Sequence, residues 1–245
     1  MRSLFYFFLF LLSLSAQASD EDKKNNFSLN ADVVSTYVWR GSYQAGTSIQ
    51  PCMELNVGGF SLGTWGSVDI AGFNYKEVDL MASYSFKNVT IGLIDYWVVG
   101  EMNYGYFDFS KSTLHLLDAW LSCTFNSIPL TISWNTIVVG DEHYSMYEKK
   151  GKMKKAFPTY IEAIYSAPVR DINLEAAIGI SPWRSGVMYN RVDEGGQTDG
   201  LAVINLSLKA SKEITITDRY ALPVFGQLIL NPAKEDLFLV FGIKF

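Results

Sequence analysis

The chain has 245 residues, 49% of them hydrophobic and 15% aromatic, with a formal net charge of −5 at pH 7. That acidic balance argues against a nucleic-acid partner, which calls for a basic face. No segment beyond the first stretch approaches the roughly 20 apolar residues of a membrane-crossing helix, so helical spans are excluded.

At the start of the chain, Arg2 precedes an apolar run from Leu4 to Leu12, extended by Leu14, and Ala16-Gln-Ala18 follows. Charge, short apolar run and small-residue exit form a secretory signal peptide over residues 1–18. No Cys follows it, so a lipoprotein anchor is not expected. Residues 19–26 read as a polar periplasmic leader. Secretion plus membrane affinity without a spanning helix leaves a closed barrel, and the remaining residues, 27–245, carry it as one domain. The expected class is all-β: a transmembrane, antiparallel, up-and-down β-barrel of about 12 strands.

Alternating apolar and polar residues mark those strands at 27–40, 48–57, 60–70, 75–86, 89–98, 112–125, 130–138, 158–166, 172–181, 200–209, 213–230 and 235–245. An even number keeps both termini on one side. One set of connections is short: 58–59, 87–88, 126–129, 167–171 and 210–212. The other set includes the long segments 41–47, 99–111, 139–157 and 182–199, with two short members at 71–74 and 231–234. Short periplasmic turns and longer outer loops are the barrel asymmetry.

The apolar phase is expected to face lipid. Near the short-turn end it carries Phe27, Phe60, Phe86, Phe125, Tyr165 and Phe245. Toward the other rim it carries Tyr37, Trp39, Trp97 and Trp134. Amphipathic rings favour both interfaces. The opposite phase is polar and is expected to line a wet lumen through Asp32, Arg40, Glu54, Asp69, Glu77, Asp79, Asp118, Glu162, Glu175 and Lys209. Asn30, Asn56, Trp65, Ser133, Asn135, Asn205 and Ser207 share that phase. Asp95 is a misfit beside Val89, Ile91, Leu93 and Trp97; a bulge, an upper-rim position or a different register would each resolve it. Twelve strands give a backbone radius on the order of 12 Å, much of it filled by inward side chains. Cys52 and Cys123 fall on opposite faces and are expected to stay unpaired.

In the last strand, Leu237, Leu239, Phe241, Ile243 and Phe245 alternate strictly. A last strand of this kind ending on Phe resembles the signal that outer-membrane barrels present to their assembly machinery. Further residues carry a family resemblance. Asp32-Val-Val-Ser-Thr-Tyr-Val-Trp-Arg-Gly41 and Gly59-Phe-Ser-Leu-Gly-Thr-Trp-Gly66 resemble the opening of a porin-like family of uncharacterised outer-membrane barrels in Gram-negative bacteria. Pro158-Thr-Tyr-Ile-Glu162, Ile214 to Pro223 and Leu230-Asn-Pro232 look like later blocks of its Bacteroidetes members. The resemblance implies a bacterial outer-membrane location and a barrel shape, not a chemistry.

No enzyme, cofactor or metal site is expected. His143-Tyr-Ser145 resembles the His-x-Ser pairing of outer-membrane phospholipase, but Met146-Tyr147 stand where that enzyme has Asn-Gly. Asp141, Glu142, His143 and Glu148 lack a recognisable metal-ligand spacing, His115 reads as an interfacial imidazole, and Tyr104 and Tyr106 could stack on a sugar ring. Lys149, Lys150, Lys152, Lys154 and Lys155 crowd one outer loop; they are solvated, bind anionic headgroups, or fold over the acidic mouth as a plug. Three functions follow: a channel passing small hydrophilic solutes with a cation preference, a non-conducting structural or interaction barrel, or a lipid hydrolase through Ser145. Outer-membrane lipid, lipopolysaccharide, the assembly machinery and small hydrophilic solutes are the expected partners.

Overall fold

The computed structural model describes residues 26–72, 74–99, 105–107, 115–140, 146–149, 151–183, 185, 188–189, 192–193, 196–197 and 200–245. The expected signal peptide and all of the leader but Asn26 lie outside them. Twelve strands form the wall: β1 Asn26–Val34, β2 Ser48–Val57, β3 Phe60–Asp69, β4 Lys76–Phe86, β5 Val89–Val99 and β6 His115–Thr124 in its first half. The second half is β7 Leu130–Gly140, β8 Thr159–Val169, β9 Ile172–Ser181, β10 Ala202–Thr217, β11 Tyr220–Asn231 and β12 Asp236–Lys244. Each pairs antiparallel with its neighbours in sequence, and β1 pairs with β12, so the sheet is a closed up-and-down barrel.

Alternation fixes which side chain faces where, because successive residues of a strand point to opposite faces. Cross-strand partners share a face. Leu55 opposite Leu62, Leu62 opposite Ala82, and Leu93 opposite Ala119 form outward rows. Leu55, Leu62, Leu80, Ile91, Leu93, Leu121, Leu208, Leu228 and Leu239 are all exposed there. Burial runs the other way: Glu77, Asp79, Asp118 and Asn205 are buried on the inner face. An outer surface of leucine and an inner surface of carboxylates is inverted relative to a water-soluble barrel.

Two strand boundaries differ most from the sequence expectation, besides β8, which runs on through Ala167 to Val169. The first strand does not run to residue 40. It ends at Val34, and Ser35 makes one last rung: its N–H bonds the Phe241 carbonyl at 2.8 Å and its Oγ accepts the Phe241 N–H at 2.9 Å. The chain then leaves the wall and forms a small hairpin, Tyr37–Trp39 against Ser42–Ala45. Its turn residues, Arg40 (φ 48°) and Gly41 (φ 76°), both lie in the left-handed region, as a two-residue primed turn requires. The second difference is the last short turn. Ala210-Ser211-Lys212 stays in β10, and the chain reverses at Asp218-Arg219, where Thr217 Oγ1 accepts the Arg219 N–H at 3.3 Å. The polarity of 210–212 comes from its inward and rim positions, so it mimics a turn without the backbone for one.

The barrel closes where Asp32, Val33 and Val34 face Lys244, Ile243 and Gly242. Ala31 and Phe245 extend this rung in both directions, at 3.2 and 2.9 Å. The seam is short on the β1 side because the chain departs at Ser35.

Candidate functional site: the lumen and its inturned hairpin

The hairpin 37–45 occupies the outer half of the lumen. Its tip abuts β10: a Cβ on Gly41 would sit 1.9 Å from the Ile204 carbonyl oxygen, so only glycine fits there. Asn231 Nδ2 donates to the Gly41 carbonyl at 2.9 Å, and Lys234 Nζ donates to Ser42 Oγ at 3.0 Å. Burial holds the Lys234 ammonium below the usual lysine range. The tip is thus tied to the outer turn between β11 and β12.

Arg40 is the centre of this arrangement. Its Nη2 donates to Asp118 Oδ2 on β6 at 2.7 Å, and its other nitrogen donates to the Tyr189 hydroxyl from the segment after β9. The guanidinium carbon stands 4.5 Å from the Trp39 ring centroid and 5.1 Å from that of Tyr160 on β8. Tyr96 on β5 packs edge-on against Trp39 with centroids 5.4 Å apart. Side-chain exposure is 9% for Arg40 and 0% for Asp118. A planar, weakly hydrated guanidinium suits such a stacked and paired setting better than an ammonium would.

The other luminal residues expected from the sequence fall into separate groups. Glu77 accepts the Tyr75 hydroxyl at 2.8 Å and, with Asp79, sits beside Tyr37, whose ring packs on Trp65 and Tyr75. Glu162 accepts the Tyr160 hydroxyl and the Asn205 amide, the latter at 3.0 Å. Toward the short turns, Lys209 and Glu175 stand 3.9 Å apart, and Lys209 lies 4.4 Å from the Phe225 ring centroid. Glu54 accepts Asn56 Nδ2, and Asp32 faces Lys244 across the seam. Asp69 acts at the rim, where its Oδ1 accepts the N–H groups of Ala71 and Gly72 at 2.8 and 3.3 Å and so holds the turn after β3. Asp171, in the turn before β9, accepts Lys212, which holds its carboxyl below the usual carboxylate range.

On the outside, Phe27, Phe60, Phe86, Phe125, Tyr165 and Phe245 are all exposed, as are Leu237, Leu239 and Phe241. Trp134 is exposed too and meets Trp183 with centroids 5.8 Å apart. Tyr37 and Trp39 do not share this outward setting. The alternation puts them on the lipid phase, but the wall ends before them and both rings pack inside. Asp95 keeps its outward register near the outer rim and is paired there: His115 Nδ1 lies 2.9 Å from Asp95 Oδ1, and Tyr106 donates its hydroxyl to the same carboxylate. His115 is therefore buried beneath Tyr106. Cys52 and Cys123 are free.

Lys152, Lys154 and Lys155 are exposed on a small outer hairpin, Met146–Lys149 against Lys152–Lys155. Among the described residues, the hairpin after β1 and Tyr189 of the segment after β9 enter the lumen. Tyr104, His143 and Ser145 lie outside the described residues, as do Asp141, Glu142 and Lys150, and so do the side chains of Glu148 and Lys149. Among the described residues, no three of His, Cys, Asp or Glu converge as metal ligands.

Sequence reasoning misses Tyr96, Tyr160 and Tyr189 as partners of Arg40. Only their fold-dependent convergence identifies them. The hairpin itself leaves one local trace, the Arg40-Gly41 pair between Trp39 and Tyr43, which is a weaker turn signal than Asn-Gly.

A family model matches residues 18–193, and the chain belongs to that family, described as "Bacterial protein of unknown function (Gcw_chp)". No curated protein matches the sequence. Among solved structures, one described as "Asymmetric conductivity of engineered proteins" is similar at 9% identity and a TM-score of 0.39, over 85% of this chain and 63% of that one. BamA from Haemophilus ducreyi, in a crystal structure lacking POTRA domains 1–3, is similar at 13% identity and a TM-score of 0.38, over 87% of this chain and 43% of that one. This chain spans less than two thirds of either, and the closed barrel rests on the strand pairing described above.

Proposed function

We propose that this protein is a barrel of the bacterial outer membrane whose lumen passes small hydrophilic solutes slowly, throttled at Arg40. The observation that carries the reading is the inversion of the wall, with apolar side chains exposed outside and carboxylates inside. A charge on the lipid face costs ~2–4 kcal/mol at the midplane for Arg or Lys, and here the charged rows point inward. Asp32, Glu54, Glu77, Asp79, Asp118, Glu162 and Glu175 share the inner face with Arg40, Lys209 and Lys244, and Asp69 stands at its rim. Rings of charge bias the ions that enter, so the preference is for cations. No catalytic step is assigned. The outward row Leu237, Leu239, Phe241, Ile243 and Phe245 is the strand offered to the assembly machinery, and the belt meets lipid and lipopolysaccharide.

Planar-bilayer recording tests this reading. Small conductance with a reversal potential on the cation side in a KCl gradient is expected; anion preference would contradict it. A second reading, a non-conducting structural or interaction barrel, is favoured by the hairpin packed across the outer lumen. Absence of current from correctly folded, heat-modifiable protein would select it.

A further inference from the structure

Next to the hairpin, on its short-turn side, lies a cavity of about 370 Å³, within the range of small-molecule sites. Five wall strands and the hairpin meet around it. Its polar lining comes from Arg40 on the hairpin, Tyr96 on β5, Ser133 and Asn135 on β7, Tyr160 and Glu162 on β8, Asn205 on β10 and Gln227 on β11. Two features of this lining point to a ligand class. First, its charges are already engaged. Arg40 is paired with Asp118, and the Glu162 carboxylate accepts both Tyr160 and Asn205. Second, what remains is neutral amide and hydroxyl. Such groups both donate and accept, as the hydroxyls of a polyol do. Asn205 is 7% exposed, and its Oδ1 is buried with no hydrogen-bond partner while its Nδ2 is held by Tyr160 and Glu162. With the amide held by its nitrogen and its Oδ1 sealed from the cavity, Asn205 shapes the wall of the site and fixes Tyr160 against Glu162.

We infer that this cavity is a binding site for a small, neutral, polyhydroxylated solute of about monosaccharide size, held by Asn135 and Gln227. The inference deepens the reading of the lumen as a solute path and rests on it. Ligand hydroxyls donate to the amide oxygens of Asn135 and Gln227, and ligand oxygens accept from their amide nitrogens. Acidic groups elsewhere in the lumen act on ions; this level acts on neutral molecules.

The test is calorimetric titration of the full, folded barrel in a detergent without a sugar headgroup, using D-glucose, myo-inositol and ethylammonium chloride as probes. Saturable binding of at least one of the two polyols is expected, weakened about five- to tenfold in Gln227→Leu, the loss of one hydrogen bond. Asn135→Leu is expected to weaken binding by a similar factor. Because Asn135 also donates to Ser133 Oγ at 3.5 Å, Gln227→Leu is the variant that separates binding from folding, with heat-modifiability as the check. No saturable binding of either polyol, equal binding by wild type and Gln227→Leu, or binding of ethylammonium alone would each overturn the site. Current measured on the same preparation separates the two readings. Polyol binding without current keeps the site and removes the passage; current without polyol binding keeps the passage and removes the site.

Discussion

At the level of Arg40 the lumen is crossed by groups from several directions: Trp39 from the hairpin, Tyr96 and Asp118 from one wall, Tyr160 from another and Tyr189 from an outer segment. Toward the short turns, Glu175 and Lys209 face each other at 3.9 Å with about a third of each side chain exposed. Both levels hold opposite charges, yet only the first is dry. A pair shielded by rings interacts strongly and cannot lose one member cheaply, whereas a pair in water is screened. The Arg40–Asp118 pair is therefore sealed by its surroundings, and the Glu175–Lys209 pair is the more exposed of the two.

Asp118→Ala breaks the comparison on its tight side. It leaves a buried guanidinium without its carboxylate, a loss of about 3–5 kcal/mol. A clearly lower urea midpoint of the folded barrel in detergent is expected, and an unchanged midpoint would show that Arg40 is solvated after all. Glu175→Gln probes the loose side. Its exposed pair contributes about 0–1 kcal/mol, so the midpoint should hold while the reversal potential moves slightly toward anions. A large stability loss there would erase the distinction between the levels. The smallest effect belongs outside the lumen. Replacing Lys149, Lys150, Lys152, Lys154 and Lys155 with Gln is expected to leave conductance and closures as in wild type, because on the proposed reading the hairpin after β1 narrows the lumen. Larger conductance in that variant would return the plug to the lysine loop.

The wall is legible in the sequence because a strand's period is two and each face has one solvent. Leu55, Leu80, Leu93 and Leu239 follow that rule, and so do Glu77, Asp118 and Glu175 on the other face. Tyr37 and Trp39 obey the same period and are wrongly assigned to lipid by it, since alternation says nothing about whether a strand stays in the wall. Their departure is decided by tertiary contacts: Gly41 against Ile204, Asn231 on the Gly41 carbonyl, and Arg40 seeking Asp118 from 78 residues away. Asp95 stands out as a misfit by pattern alone, but its resolution needs His115 and Tyr106, which come from other parts of the chain. The turn at Asp218-Arg219 escapes the pattern because Ala210-Ser211-Lys212 looks like a turn in composition, while β10 runs through it.

The most direct measurement is single-channel conductance of the barrel in which residues 37–45 are replaced by a short Gly-Ser link, compared with wild type under the same KCl gradient. With the hairpin gone, the lumen at the Arg40 level is bounded by the wall strands, the outer segment that carries Tyr189 and the water between them. A severalfold larger conductance that keeps its cation preference is the predicted result. Equal conductance in the two proteins, with both shown to be folded by heat-modifiability, would contradict the claim that this hairpin closes the lumen.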